Sequence, residues 1–155
     1  MHLSIRTVFA IALLGLLAAC ASGPRKVINP PKASIQELAV QPDGRWRLTL
    51  RLQNFSSVST AFAQVDAKLY VGGQDAGTLA VQPAITVGPE SADVVTASLT
   101  PALGAKLVVA SALASRRSAT YTLTGSIRTS EPKGTYNFTH DSSLDPAPGL
   151  TGVMR

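Results

Sequence analysis

The most reactive side chain in this 155-residue sequence is the thiol of Cys20, its only cysteine. A thiolate can accept an acyl chain, exchange with a disulfide or bind a metal. A lone cysteine excludes an internal disulfide framework and a zinc site built from several cysteines of one chain. The residues around Cys20 therefore decide which chemistry its thiol serves.

An apolar run over residues 8–21 contains this cysteine, and Arg6 precedes the run. As a helix it would span roughly 21 Å, short of the ~30 Å hydrocarbon core of a bilayer. That length is typical of the apolar part of a signal peptide, although a buried helix is an alternative. The end of the run, Leu17-Ala18-Ala19-Cys20, resembles the bacterial lipobox. The resemblance implies that residues 1–19 form a signal peptide cleaved after Ala19 and that Cys20 carries the lipid, whereas an ordinary signal peptide with an incidental cysteine is the alternative.

Acylation of Cys20 would make the membrane a permanent partner, because two or three acyl chains anchor a protein effectively irreversibly. The following residue, Ala21, is not the Asp that retains lipoproteins in the inner membrane of Gram-negative bacteria. The resemblance therefore implies the periplasmic face of the outer membrane.

A tether follows the anchor. Residues 20–33 include Pro24, Pro30 and Pro31, which favour extended chain, and we predict that they form a flexible linker. Arg25 and Lys26 lie close to the anchor, where they either touch anionic headgroups or are ordinary solvated linker charges.

A triad-like string, His140-Asp141-Ser142, is the one candidate for catalysis. Cleavage would remove His2 and leave His140 as the only imidazole, so a site with two histidines from one chain is excluded. Neighbouring residues of a strand point in opposite directions, whereas triads assemble through space. Gly72 and Gly73 lack the context of a nucleotide-binding loop and are predicted to form a turn. We therefore expect no enzyme activity, no cofactor and no metal site.

Three arginines, Arg45, Arg47 and Arg51, share one face of a predicted strand. Such a row could bind lipid phosphate, a polyanion or an acidic protein, or it could simply keep a solvent-facing surface soluble. The chain carries 14 basic and 9 acidic residues, a formal net charge of +5. Trp46 lies on the opposite face of the strand, so base stacking is poorly supported and we expect no nucleic-acid partner.

Hydrophobic residues alternate with polar ones from residue 34 onward, which predicts strands with one buried face. The clearest case places Trp46, Leu48, Leu50 and Leu52 on one side. A short helix is predicted over residues 101–115, with Thr100 as its cap, because Leu103, Leu107, Ala110 and Ala114 recur at helical spacing. A strand beginning at Leu107 is the alternative. About seven strands are predicted, over residues 34–40, 45–52, 61–71, 78–87 with an interruption, 92–99, 120–127 and 136–139. The first two, joined by the turn Pro42-Asp43-Gly44, are predicted to form a hairpin.

This spacing indicates an all-β fold: one antiparallel β-sandwich of immunoglobulin or fibronectin III type, with one short helix. The sandwich is expected over residues 34–145, followed by a flexible tail over residues 146–155. We expect a monomer.

The order of these elements resembles the late embryogenesis abundant type 2 family, also called the water stress and hypersensitive response (WHy) domain, over residues 35–144. The strand ending in Asn54 fits the start of the family's Asn-Pro-Asn turn, where Phe55 and Ser56 replace the Pro and the second Asn. Tyr121-Thr122-Leu123-Thr124-Gly125 fits its Tyr-x-Leu-x-Gly strand. The resemblance implies a fibronectin-like sandwich, a link to desiccation or envelope stress, and no active site.

Two functions follow as expectations. The first is a lipid-anchored, non-enzymatic module that protects the envelope against desiccation or osmotic stress, or that binds a ligand there. The alternative is an accessory lipoprotein that joins an envelope complex by binding a protein partner or anionic lipid.

Overall fold

The computed structural model describes Gly23 and residues 25–155. Within this part of the chain, nine strands and one helix follow each other. They are β1 (Lys32–Val40), β2 (Trp46–Gln53), β3 (Thr60–Val71), β4 (Gln74–Val81), β5 (Ile85–Val87), β6 (Ala92–Leu99), α1 (Leu103–Ser115), β7 (Ala119–Glu131), β8 (Lys133–Leu144) and β9 (Val153–Met154). The predicted all-β class with one helix is confirmed.

The strands form two antiparallel sheets. The first sheet has the order β6-β2-β1-β9, and the second has the order β4-β3-β7-β8 with β5 paired to β3. β1 and β2 form the predicted hairpin, and the Gly72-Gly73 turn joins β3 to β4. Both glycines have positive φ angles, 55° and 76°, which are accessible to glycine at little cost.

One core lies between the sheets, because each sheet turns its apolar side chains inward. β2 contributes Trp46, Leu48, Leu50 and Leu52, the residues that the alternation predicted. The second sheet contributes Val65, Leu69, Leu123 and Ile127, all fully buried. The arrangement is a β-sandwich-like fold, held by the non-directional burial of apolar surface.

The strand count exceeds the predicted seven for two reasons. Residues 78–87 form two strands, not one, because β4 and β5 pair with different stretches of β3 on either side of Pro83. The chain terminus adds β9, which pairs with Leu38 and Ala39 of β1. The strands β7 and β8 also run further than predicted and meet around Pro132.

The predicted flexible tail is wrong for the end of the chain. Met154 is fully buried in the core, and the backbone of Arg155 exchanges two hydrogen bonds with Asp145. The Arg155 guanidinium also pairs with Glu37 at 2.9 Å. A two-residue strand carries no usable periodicity, so this pairing could not be predicted from the amino-acid pattern.

The helix α1 lies where it was predicted but begins two residues later, at Leu103. Its cap is Ala102, whose amide donates to the carbonyl of Ala76, and Thr100 has no capping role. The small residues Ala105, Val109 and Ala112 face the core. The helically spaced leucines Leu103 and Leu107 point to solvent.

Gly125 sits where β7 passes closest to β3. A Cβ at this position would collide with the backbone carbonyl of Asp66 and lie 2.7 Å from the Cα of Ala67. Only glycine fits such a close backbone approach, which gives a physical reason for the glycine in the Tyr-x-Leu-x-Gly strand.

Candidate functional site

The proposed lipidation site, Cys20, and the proposed cleavage position, Ala19, lie outside the described residues. Their roles stay predictions. The structure instead shows how the chain that follows them joins the sandwich. Arg25, Lys26, Val27 and Ile28 are exposed, and β1 begins only at Lys32.

Residues 25–29 are fastened to the loop between β2 and β3. The Val27 amide donates to the Ser57 hydroxyl at 2.8 Å, and the Ser57 amide donates to the Val27 carbonyl at 2.9 Å. The Asn29 amide donates to the Ser56 hydroxyl at 3.0 Å, and the Asn29 side chain donates to the Phe55 carbonyl at 2.8 Å. This part of the chain departs from the predicted flexible tether, because paired backbone groups hold it against the domain.

The loop itself is held by Asn54, a buried polar residue. Its side-chain amide nitrogen lies within hydrogen-bonding distance of the carbonyls of Val58, Val87 and Gly88, at 2.8, 3.2 and 2.8 Å. Its side-chain oxygen accepts from the Ser56 amide and the Thr60 hydroxyl. Asn54 thus joins three backbone segments, and the loop that receives the tether has one fixed shape.

Among the residues that the structure describes, residues 25–29 and the loop that binds them expose three large apolar side chains at this end of the sandwich. Val27 is 48% exposed, Ile28 52% and Phe55 38%. They belong to two segments that the hydrogen bonds above bring together, and Arg25 and Lys26 lie beside them in sequence. We call Arg25, Lys26, Val27, Ile28 and Phe55 the tether patch. Exposed apolar groups gathered with basic residues are typical of a membrane or protein contact.

The arginine row is divided by the structure. Arg47 and Arg51 are exposed on the outer face of the first sheet, as predicted, whereas Arg45 belongs to the turn before β2. β2 is an inner strand, flanked by β1 and β6. Glu37, on the neighbouring strand, is paired with Arg155. Arg47 and Arg51 therefore lie on an open sheet surface. The role of the three arginines as an anionic-ligand face stays a prediction.

His140 and Asp141 point to opposite sides of β8. The His140 ring packs toward Tyr121, with ring centroids 6.0 Å apart, whereas Asp141 accepts a hydrogen bond from Thr122 on the outer face. The structure does not bring these residues together as a catalytic pair. Among the described residues, no group of three His, Cys, Asp or Glu side chains is placed to hold a metal ion.

Tyr121 links the two sheets, because its hydroxyl accepts from the Ile35 amide of β1 at 3.1 Å. Burial raises the pKa of its phenol above the ordinary value of 10.0. The folded protein therefore keeps the phenolic proton at a pH where the unfolded chain has lost it. The contribution of the Tyr121 phenol to the stability of the fold is fully present below about pH 10. It is lost as the pH rises from about 10 through the raised pKa.

We expect Tyr121→Phe to lower the free energy of unfolding near neutral pH by about 1 kcal/mol, through the lost hydrogen bond. The same variant should lose less stability than the unsubstituted protein as the pH rises above 10. Urea unfolding at a series of pH values measures both effects. Tyr136→Phe removes a phenol hydroxyl from a half-exposed ring of β8 and serves as the control, which should change the free energy of unfolding near neutral pH less than Tyr121→Phe does. Equal slopes for the unsubstituted protein and Tyr121→Phe would contradict the assignment.

Several surface depressions lie away from these residues in the described part of the chain, and two of them are the following. One, of about 640 Å³, is open and shallow, and it runs over Lys68, Thr124 and Asn137 on the outer face of the second sheet. The other, of about 940 Å³, lies between α1 and residues 145–152. Neither contains a histidine or cysteine, and Asp66 and Asp145 are their only carboxylates.

A second exposed apolar surface lies on α1. Leu103 is 72% exposed and Leu107 62%. The helix packs near the Gly72 turn, where a Cβ on Gly72 would lie 2.8 Å from Val108. That turn follows the last residue of β3. The loop between β2 and β3 that binds residues 25–29, here called the tether-binding loop, precedes the first residue of β3. Since β3 has 12 residues, roughly 40 Å separates these two ends of the sandwich.

No protein-family model matches this sequence, and no curated protein matches it. Among solved structures, it is similar to a crystal structure of a protein from Archaeoglobus fulgidus, with 14% identity, a TM-score of 0.42, and coverage of 78% of this chain and 98% of that one. A solution structure of a protein from Arabidopsis thaliana has 11% identity and a TM-score of 0.49, covering 83% of this chain and 85% of that one. A structural-genomics target solved by X-ray has 12% identity and a TM-score of 0.45, covering 80% and 92%.

In the described part of the chain, no helix is long and apolar enough to cross a membrane. The two exposed apolar surfaces were not predicted from the sequence. The leucines of α1 carried a signal, since their spacing marks one helix face, but that face turned out to be the outer one. For the tether patch the sequence indicated only the basic residues Arg25 and Lys26. The apolar part could not be predicted, because Phe55 lies 26 residues from its hydrogen-bonding partner Asn29.

Proposed function

We propose that this protein is a lipid-anchored, non-enzymatic module of the bacterial envelope, attached through acylated Cys20 at the periplasmic face of the outer membrane. The observation that carries the proposal is the sequence Leu17-Ala18-Ala19-Cys20 at the end of an apolar run, with no other cysteine in the chain. In this proposal the domain is a sandwich of immunoglobulin or fibronectin III type.

The described structure supports this reading in two ways. The chain that would lead from Cys20 reaches the sandwich at one end and is hydrogen-bonded there, so an anchor would hold the domain by that end. The opposed directions of His140 and Asp141 support a role without catalysis.

The physiological part of the proposal is protection of the envelope during drying or osmotic shock. It rests on the resemblance to the late embryogenesis abundant type 2 family, and therefore on an analogy of fold. The buried Asn54 supports that resemblance with a physical role for the first residue of the family's turn, because it holds the loop together.

A second candidate is an adaptor within an envelope complex. The observation that favours it is the outward-facing pair Leu103 and Leu107, which leaves apolar surface uncovered at the end of the sandwich opposite the tether.

One paired experiment separates the two functions. A strain lacking the gene is tested for survival of drying and osmotic shock, and the detergent-solubilised protein is purified by affinity from its native cells. A survival defect without a stoichiometric partner supports the protective module. A stoichiometric partner that is lost with Leu107→Asp, but kept with the control Val94→Asp on a sheet face, supports the adaptor. Unchanged survival would overturn the protective role.

A further inference from the structure

The tether patch is a preformed surface, because two separate segments are locked together to make it. The backbone of Val27 pairs in both directions with Ser57, and Asn29 binds both Ser56 and the carbonyl of Phe55. Asn54 fixes the loop that supplies these partners. No ordering of the backbone is then needed when the patch meets a ligand.

The side chains of the patch have the composition of a bilayer contact. Val27, Ile28 and Phe55 offer apolar surface that the fold leaves in water, and Arg25 and Lys26 offer two positive charges. Glu90 is an exposed acidic residue near the same loop, because its backbone amide donates a hydrogen bond to the Ser56 carbonyl. Apolar and aromatic side chains enter the boundary between headgroups and acyl chains, and lysine and arginine stay with acidic headgroups.

The length of chain that leads toward Cys20 limits where this surface can be. From Cys20 to Arg25 is a stretch of five residues. Even fully extended, such a stretch reaches only about 17 Å. If Cys20 is acylated, the tether patch is therefore held near the headgroup layer whatever the orientation of the sandwich.

We propose that the tether patch docks on the phospholipid surface that holds the anchor, with acidic headgroups as the preferred partners. The proposal rests on the lipid anchoring proposed above. Docking orients the sandwich with its strands roughly perpendicular to the membrane plane. The tether-binding loop then lies at the membrane, and α1 lies roughly 40 Å from that loop. The leucines of α1 are then presented to the periplasm and not to the lipid.

The test uses the lipidated full-length mature protein in vesicles of phosphatidylethanolamine and phosphatidylglycerol that contain a lipid-attached quencher. Because an acylated Cys20 has no free thiol, a fluorophore can be placed at Ser59→Cys beside the patch, or at Ser111→Cys on α1. Both positions are exposed. We expect quenching at position 59 and none at position 111.

Matched substitutions show whether the patch causes this orientation. Val27 and Val94 are 48% and 45% exposed, so Val27→Asp and Val94→Asp make the same change at similar exposure. In the Ser59→Cys protein, Val27→Asp or Phe55→Asp should lower the ratio of docked to undocked protein about tenfold, since apolar contact is lost and a negative charge is added. Val94→Asp should leave the ratio unchanged. Vesicles of phosphatidylcholine alone should lower it about five- to tenfold.

The outcomes separate the two proposals. Protein that floats with the vesicles but shows equal quenching at positions 59 and 111 would overturn docking and leave the anchoring intact. Equal effects of Val27→Asp and Val94→Asp would overturn the role of the patch. Equal docking on both lipid compositions would overturn the preference for acidic headgroups. Protein that does not float would overturn anchoring, and docking with it.

Discussion

Replacement of Cys20 by serine is expected to move the protein from the membrane fraction to the soluble fraction once its signal peptide is gone. Two or three acyl chains contribute about 0.8 kcal/mol for each buried CH₂ group, so their loss changes membrane partitioning by many orders of magnitude. What is left is contact through the tether patch, which is weak and sensitive to salt. Fractionation before and after a high-salt wash measures both contributions.

The apolar run over residues 8–21 could itself affect the fractionation of Cys20→Ser. A peptidase that requires the lipid would leave residues 1–19 attached in Cys20→Ser, and the uncleaved run could itself hold the membrane. Mass spectrometry of the variant shows whether cleavage occurred. A companion variant, with residues 1–20 replaced by an ordinary cleavable signal peptide, removes both the run and the acylation site.

The matched control is Ser22→Cys in the companion variant, which restores a thiol outside the lipobox pattern. It should stay soluble. Mass spectrometry of the unsubstituted protein should find acyl chains on an N-terminal Cys20. Companion protein that still pellets with membranes after the high-salt wash would contradict lipid anchoring.

Substitution of Asn54 is expected to have the largest effect on stability among the described residues discussed above. Asn54→Ala leaves the carbonyls of Val58 and Gly88 and the backbone amide of Ser56 without their partners. The hydrogen bond to Ser56 is buried and the other two are partly buried. Each unsatisfied buried group costs about 1–3 kcal/mol, and water entering the space recovers part of that. We expect a loss of about 3 kcal/mol or more, equivalent to a fall in Tm of about 10 °C.

Asn54→Asp tests the donor role separately, because it keeps the shape of the side chain. Its carboxylate would face the carbonyls of Val58, Val87 and Gly88, which repel it. Burial and these carbonyls raise the pKa of such a carboxyl, since both favour its protonated form. Stability should therefore be lost as the pH rises through that pKa, so Asn54→Asp should be more stable near pH 4, relative to the unsubstituted protein, than near pH 7.

Asn137→Ala is the matched control for both variants. It removes the same side chain from the exposed face of β8 and should change Tm by no more than about 2 °C. Thermal unfolding followed by circular dichroism measures all three proteins. Asn54→Ala with the same Tm as Asn137→Ala would contradict the structural role of Asn54. Asn29→Ala, which removes only the bond to the Phe55 carbonyl, should fall between them.

Confirmation of these two results would connect stability to orientation at the membrane. Asn54 shapes the loop, the loop binds residues 25–29, and those residues form the tether patch. A variant that weakens Asn54 without unfolding the core should therefore also weaken docking. Docking would be weakened because the loop changes shape, although no side chain of the tether patch is substituted.

Alternation along the chain predicted which faces of the sandwich are buried. In β2 a shift of one residue would turn Trp46 and three leucines into solvent, so the pattern allows only one inward face. The pattern also predicted the β1–β2 hairpin and the Gly72-Gly73 turn, because both depend on residues close in sequence. It could not predict that β4 and β5 divide β3 between them, since that depends on which strand each one meets.

The sequence by itself determined the all-β class, the inward face of β2 and the one cysteine on which the proposed anchor depends. The tertiary structure decided the rest: Met154 completes the core, the leucines of α1 face outward, and residues 25–29 join the loop held by Asn54. Each of these depends on partners far apart in the chain, such as Asn29 and Ser56 at a separation of 27 residues, or Glu37 and Arg155 at 118. Local periodicity reports only which side of an element is apolar. Which element covers that side depends on how all the elements of the chain pack together to bury their apolar surface.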